Sequence, residues 1–279
     1  MAGQPITASS LAWRDGAVTK AARPVAEEVA IAVSYGHATH AVLMATPADL
    51  EDFAVGFSLA EGVITRPAEI TAIETVTAEL GIELRLTLAE ASADRHWARR
   101  RTMAGPVGCG LCGIESLKEA VRPVPRVPDG GGLDAAAILA AMHALPGLQP
   151  LNLQTRAMHA AAWWAPDAGI AAVREDVGRH NALDKLCGAM ARRGVALRGG
   201  AVLLTSRVSV EMVQKVAVAG CPVLVAVSAP TALAIATADA AGITLVAVAR
   251  GDGFEVFTHS ARIRFGAPHT AGAAYRHVA

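Results

Sequence analysis

Cys109 and Cys112 stand at CxxC spacing inside Gly105–Gly113, a run that also holds four glycines and a proline. Glycine frees the backbone and lets it come close to another surface, while proline sets a turn and ends any helix arriving from the left. The pattern predicts two thiols on a mobile, accessible loop, whereas an ordinary cysteine is a small buried hydrophobe. A reacting sulfur needs access and a lowered pKa. The loop supplies the first. The basic run Arg99-Arg100-Arg101 and a short helix expected over Ile114–Val121, whose N-terminus would favour a thiolate at Cys112, supply the second. Gly108, Gly110 and Gly113 also spell GxGxxG, but no apolar strand precedes them, so a dinucleotide fingerprint is not supported.

A second group of residues falls where predicted strands end. Ser206 and Arg207 follow a strand at Ala201–Thr205. Ser228 and Thr231 flank Pro230 after Val223–Val227, and Arg250-Gly251-Asp252-Gly253 follows Ile243–Val248. Gly178, Arg179 and His180 close the segment Glu175–His180 after a strand at Gly169–Arg174. In an open sheet, ligands bind beyond the carboxyl ends of the strands. Three arginines, several hydroxyls, helix starts and close-approach glycines on one rim suit phosphates plus a hydroxylated or heteroaromatic group. The competing reading makes Glu175, Asp176, Arg179 and Asp184 a solvated ion-pair network, with Ser209 and Thr231 as helix caps. His180 at a helix start is the better working imidazole. His159, near the start of an apolar strand, is a candidate contact weighed against a hydrogen-bonded core histidine.

The elements that must hold these groups read in two rhythms. The first ten residues are expected to fray. Strands are expected at Leu11–Val18, Val25–Val33 and Thr39–Ala45, then a helix over Pro47–Glu61 with Thr46 as N-cap and Gly62 as C-cap. A hairpin pairs Ala72–Ala78 with Ile82–Leu88, and Ala91–Pro106 turns basic and irregular. This is a small α+β unit. Arg122–Gly132, rich in Pro and Gly, is a linker by composition, which divides the chain into 1–125 and 126–279. Beyond it, helices at Asp134–Leu145, Arg179–Arg193, Ser209–Ala219 and Thr231–Ala240 alternate with apolar strands, one of them at Met158–Trp164. That alternation predicts a parallel α/β sheet with helices on its faces. Cys187 lies on the apolar stripe of one of these helices and reads as core.

Composition narrows the class. With 53% apolar but only 4% aromatic residues, the core must be built from Ala, Val and Leu. A formal net charge of zero argues against general nucleic-acid or membrane-surface binding, so an anionic ligand needs a local cluster. No signal peptide is expected at the N-terminus, and Ser228, Pro230, Thr231 and Asp239 break the apolar region Val223–Ala249 before it reaches a spanning length. Four unevenly spaced cysteines fit a cytoplasmic thiol function better than a secreted disulfide scaffold.

The segment Arg174–Lys185 (Arg-Glu-Asp-Val-Gly-Arg-His-Asn-Ala-Leu-Asp-Lys) resembles a signature of the FdhD family, the formate dehydrogenase accessory sulfurtransferases. Ser206–Lys215, Val227–Ala234 and the Cys-Gly-Leu-Cys-Gly loop resemble three more of its motifs, and the likeness runs in one order from about Val25 to Ile263. The resemblance implies a cytidine-deaminase-like three-layer C-terminal domain behind a smaller α+β N-terminal one. It implies a sulfur carrier that takes persulfide sulfur from a cysteine desulfurase. The carrier passes it to the molybdenum bis(guanine dinucleotide) cofactor before that cofactor enters formate dehydrogenase. It makes Cys109 the persulfide site, with Cys112 assisting transfer or resolving it. Val248, Ala249, Arg250, Gly251, Asp252 and Gly253 become the cofactor-contacting turn, beside the rim residues already named. A homodimer is also implied, and no structural metal.

Four rival readings compete with this one. A thiol–disulfide oxidoreductase is allowed by CxxC alone, but such sites open a helix directly after a strand. A zinc knuckle would need two more ligands, and Cys187 and Cys221 are distant and apolar in context. A zinc nucleoside deaminase lacks its H-x-E and P-C-x-x-C signature here, since Ala160-Ala161 follow His159. A non-catalytic cofactor chaperone would keep the rim without needing Cys109.

Overall fold

The computed structural model describes residues 3–103 and 123–266. Cys109, Cys112 and the helix expected over Ile114–Val121 lie outside the described residues.

The chain opens with a hairpin of β1 (Ile6–Arg14) and β2 (Ala17–Val25). Asp15 and Gly16 form its turn, both with positive φ, 51° and 78°. That is the conformation a two-residue Asp-Gly connection requires. Fraying of the described part of the first ten residues, 3–10, and one strand across Leu11–Val18 are therefore both corrected: the Asp-Gly turn pairs β1 with β2. Next come β3 (Val29–Tyr35), β4 (Ala38–Ala45), helix α1 (Leu50–Ala60), β5 (Ile70–Ala78) and β6 (Gly81–Leu88). They form a sheet of order β4-β3-β6-β5 in which β3 and β6 run parallel. Phe53, Ala54 and Phe57 of α1 pack on Ile31, Val33, Leu84 and Leu86. This helix begins at Leu50, not Pro47. Its N-cap is Asp49 in the left-handed region, and Thr46 is engaged elsewhere. The basic stretch expected to be irregular is helix α2 (Glu90–Met103). It carries almost no apolar stripe, so periodicity could not reveal it.

In the part described from residue 123 onward, β7 (Leu133–Asp134) leads into α3 (Ala135–Ala144), which Asp134 caps by accepting the Ala137 N–H at 3.1 Å. Then follow α4 (Pro150–Thr155), β8 (His159–Ala165), β9 (Gly169–Asp176), α5 (Arg179–Arg192), β10 (Ala201–Leu204), α6 (Val210–Val218), β11 (Val223–Ala226), α7 (Ala232–Ala241), β12 (Thr244–Arg250), β13 (Gly253–Val256) and β14 (Ile263–Arg264). The large sheet has the order β13-β12-β11-β10-β8-β9. Parallel pairing holds only for β10, β11 and β12; β8, β9 and β13 are antiparallel. Short hairpin connections force that direction, whereas the helical crossovers of α6 and α7 allow parallel neighbours. One face of the sheet packs against Ile138, Ala141 and Met142 of α3, the other against α5, α6 and α7. The result is a mixed α/β arrangement with three layers.

The two sheets meet where α1 lies on α5. A Cβ on Gly56 would fall 1.8 Å from the Asp184 carbonyl oxygen, and one on Gly188 would fall 1.9 Å from that of Asp52. The helix backbones touch at this crossing, and only glycine fits. Arg174 and Arg192 both reach Asp52, at 2.7 and 2.5 Å, across the same seam.

Candidate functional site

The loops after β10 and β11 are joined to each other. The Val208 N–H donates to the Ala229 carbonyl at 3.3 Å, and the Thr231 N–H donates to that of Val208 at 3.0 Å. Arg207 between them is exposed. Ser206 is buried, its hydroxyl donating to the Arg207 carbonyl at 3.0 Å. Thr231 caps α7 by accepting the Ala234 N–H at 3.2 Å, as the competing cap reading expected. Ser209 stands at the start of α6 without capping it and instead bonds Glu211 at 3.1 Å.

The turn after β12 is strained. Val248 is β-branched yet sits at φ 54°, and the β12–β13 ladder shifts register between Ala247 and Arg250. Such an outlier persists only where its surroundings over-determine it, and such outliers cluster at functional sites. Here the Val248 N–H is held by the Ser228 carbonyl at 3.4 Å, and the Gly251 carbonyl contacts His143 Nε2 at 2.6 Å. Arg250, Gly251 and Asp252 are exposed, Gly253 is half-buried, and Ala249 is in the core. The six residues therefore divide into an exposed tip and a buried root.

His159 and Asp176 are cross-strand partners in β8 and β9. Because β8 runs antiparallel to β10, they arrive at the same rim as Ser206. Burial, then the Arg179 charge, lowers the His159 pKa. The same two causes lower that of His180, against the pull of Glu211, whose Oε2 lies 3.0 Å from His180 Nε2. Gly178 opens α5 with no side-chain cap. A Cβ there would fall 2.7 Å from Asn181 Nδ2, so a larger residue would have to displace the Asn181 amide. The Arg179 Nε is buried without a hydrogen-bond partner among the described residues. An uncapped helix start beside a guanidinium with an unsatisfied N–H suits an anionic group.

The ion-pair network expected to be solvated is buried, and Arg179 is not in it. Asp176 and Lys185 are both fully buried, 2.6 Å apart. Asp184 pairs with Lys215 at 2.6 Å; burial works to raise the Asp184 pKa and the lysine opposes it. Glu175 accepts the Leu151 and Asn152 N–H groups at 2.9 and 2.8 Å. Sequence reasoning missed both lysines and the cavity of about 240 Å³ that Leu43, Phe57, His180, Asp184, Glu211 and Lys215 help to line. Its available signal was a lysine on each of two otherwise apolar helix faces. Of the four cysteines, Cys187 and Cys221 are described. Both are buried, which pushes their thiols up to about 12 and about 11.

Residues 26–264 match the profile of the FdhD/NarQ family. The chain belongs to that family. Among FdhD proteins, the sulfur carrier protein FdhD of Agrobacterium fabrum is 58% identical over 253 residues, covering 90% of this chain and 93% of its own. That of Brucella abortus is 53% identical, covering 91% and 94%. The crystal structure described as a formate dehydrogenase accessory protein from Desulfotalea psychrophila superposes with a TM-score of 0.72 at 26% identity. It covers 94% of this chain and 100% of that one.

Proposed function

We propose that this chain is a sulfur carrier serving formate dehydrogenase, with Cys109 as the persulfide-bearing residue. The observation that carries the assignment to the loop is the state of the other thiols. A sulfur nucleophile must be accessible and ionised. Cys187 and Cys221 are buried and held protonated far above neutral pH, which leaves Cys109 and Cys112. The FdhD/NarQ match spans both positions, and the Agrobacterium fabrum and Brucella abortus relatives are named sulfur carrier proteins.

The step balances simply. The Cys109 thiolate attacks the outer sulfur of a persulfide on a cysteine desulfurase. A new S–S bond forms on Cys109 as the donor's S–S bond breaks, and the donor cysteine leaves as thiolate. Attack of the Cys112 thiolate on the inner sulfur of the Cys109 persulfide then breaks that S–S bond, forms a Cys109–Cys112 disulfide and releases the outer sulfur as hydrosulfide. The hydrosulfide goes to the molybdenum bis(guanine dinucleotide) cofactor, the cargo, and a cellular dithiol reduces the disulfide for the next cycle. The cofactor's pyrophosphates and guanines have matching groups on the rim: Arg179 at the uncapped start of α5, and exposed Arg207 and Arg250. The same reading includes a homodimer in the cytoplasm, no structural metal, and a division at residue 125 ahead of a cytidine-deaminase-like domain. Among the described residues no helix is long and apolar enough to cross a membrane.

Intact-mass spectrometry after incubation with a cysteine desulfurase and cysteine tests the proposal. The wild type is expected to gain the mass of one sulfur, released by dithiothreitol, and Cys109→Ala to gain none. Sulfur retained on the variant would overturn the role of Cys109. No gain by the wild type, with guanine nucleotide still bound, would make the protein a cofactor escort.

A further inference from the structure

The Asp176–Lys185 pair is the most completely enclosed charged contact among the described ion pairs, both side chains being 0% exposed. Asp176 uses both oxygens twice. Oδ1 accepts the Gly178 N–H at 2.7 Å and Asn181 Nδ2 at 3.0 Å; Oδ2 accepts the Thr46 N–H at 3.0 Å and Lys185 Nζ at 2.6 Å. Lys185 in turn donates to the carbonyls of Thr46 and Glu175, at 2.9 and 3.5 Å. Asn181 Nδ2 also reaches the Met44 carbonyl at 2.9 Å, and the Val177 N–H donates to Thr46 Oγ1 at 3.2 Å. The end of β4 in the small sheet is thereby stitched to the turn that opens α5 in the large one.

We infer that Asp176 and Lys185 form a positioning clamp that sets the Gly178–Arg179–His180 turn for its anionic ligand. The inference rests on the proposed binding of the guanine dinucleotide at the rim. Neither residue can touch that ligand, because neither reaches solvent. Stability alone does not account for the pair, since well-packed apolar residues often replace a buried ion pair without loss. What apolar residues could not do is hold the Gly178 N–H, the Asn181 amide and the Thr46 backbone in one geometry. The oxygens of Asp176 do so, and they fix the direction in which the first turn of α5 and the Arg179 side chain face.

The test uses the full chain and guanosine diphosphate as probe, with Asp176→Asn as the first variant. Asp176→Asn/Lys185→Met is the second, and it leaves no isolated buried charge if the first fails to fold. Leu145→Ala, in the core beside α3, is the destabilised control. Binding is measured well below each melting temperature, with amide exchange of residues 177–182 followed in parallel. The clamp variants are expected to bind about ten- to a hundredfold more weakly, the scale of a small misplacement of binding groups. Faster exchange confined to 177–182 should accompany this, while the control loses melting temperature and keeps its affinity. Clamp variants that melt lower yet keep wild-type affinity and exchange would reduce the pair to a structural one and overturn the inference. If the wild type binds no guanosine diphosphate, the rim reading fails. The clamp is then decided by exchange alone, and unchanged exchange at 177–182 overturns it.

Discussion

The two sheets are built from similar aliphatic residues but are covered differently. In the four-stranded sheet only one face meets α1, and β4 alternates accordingly: Ala41, Leu43 and Ala45 point inward, while Val42 and Met44 are 63% and 52% exposed. In the six-stranded sheet every residue of β10 and β11 is buried. A strand covered on both faces becomes a continuous apolar run and has no surface of its own to carry chemistry. Polar function is pushed to where such strands end, and that is where Arg207, Ser228 and the Arg250–Asp252 tip emerge. The seam between the sheets behaves as a third environment. It is tight enough to exclude a Cβ at Gly56 and Gly188, yet it contains the buried carboxylates Asp52, Asp176 and Asp184.

The seam is the most sensitive place to disturb that contrast. Gly188→Val would drive a branched side chain into a backbone oxygen that already lies 1.9 Å from an idealised Cβ. Overpacking ordinarily costs about 1–3 kcal/mol, and here no flexible side chain can yield, so more is expected. The expected outcome is loss of a cooperative melting transition by circular dichroism; a normal melt would show that the helices can part freely.

Within the sheets, Leu203→Ala in β10 should cost about 2–5 kcal/mol in urea unfolding, since it empties a fully buried site. Val42→Ala on the open face of β4 should stay within about 0.5 kcal/mol. Equal losses would erase the distinction between one covered face and two.

The rim histidines give the smallest effect. Burial and Arg179 lower the folded pKa of His159 and His180, so below the unfolded value of about 6.5 the unfolded chain binds more protons. Their contribution is fully present above that pH. It is lost as pH falls toward the depressed folded values. Melting temperature should therefore drop less steeply over this window in His159→Gln/His180→Gln than in the wild type. Parallel curves would show that neither imidazole is held neutral by folding.

Much of the architecture was legible locally. The stripe of Leu183, Leu186 and Met190 marks α5, Asp134 announces α3, and the run Val223–Val227 contains β11, because each signal depends on neighbours a few positions apart. The misreadings have local causes too. Asp15-Gly16 is a hairpin signal that a strand drawn over Leu11–Val18 crossed, and α2 lacks the apolar stripe by which a surface helix is recognised. Thr46 has the right type for an N-cap, but its hydroxyl accepts the Val177 N–H instead. No window of sequence around Thr46 contains that partner.

By itself the sequence determined the kinds of chemistry available: two thiols in a glycine-rich loop, arginines and hydroxyls after strand-like runs, and two further cysteines among apolar neighbours. It did so because residue type, spacing and local periodicity are properties of short segments. Only the tertiary structure decided which charges are buried and with whom. Lys185 meets Thr46 across 139 positions, and Arg192 meets Asp52 across 140. It likewise decided that β8 and β9 run against β10, bringing His159 to the same rim as Arg207. Long-range pairings of this kind are fixed by how whole layers pack, a constraint that no short stretch of the chain contains.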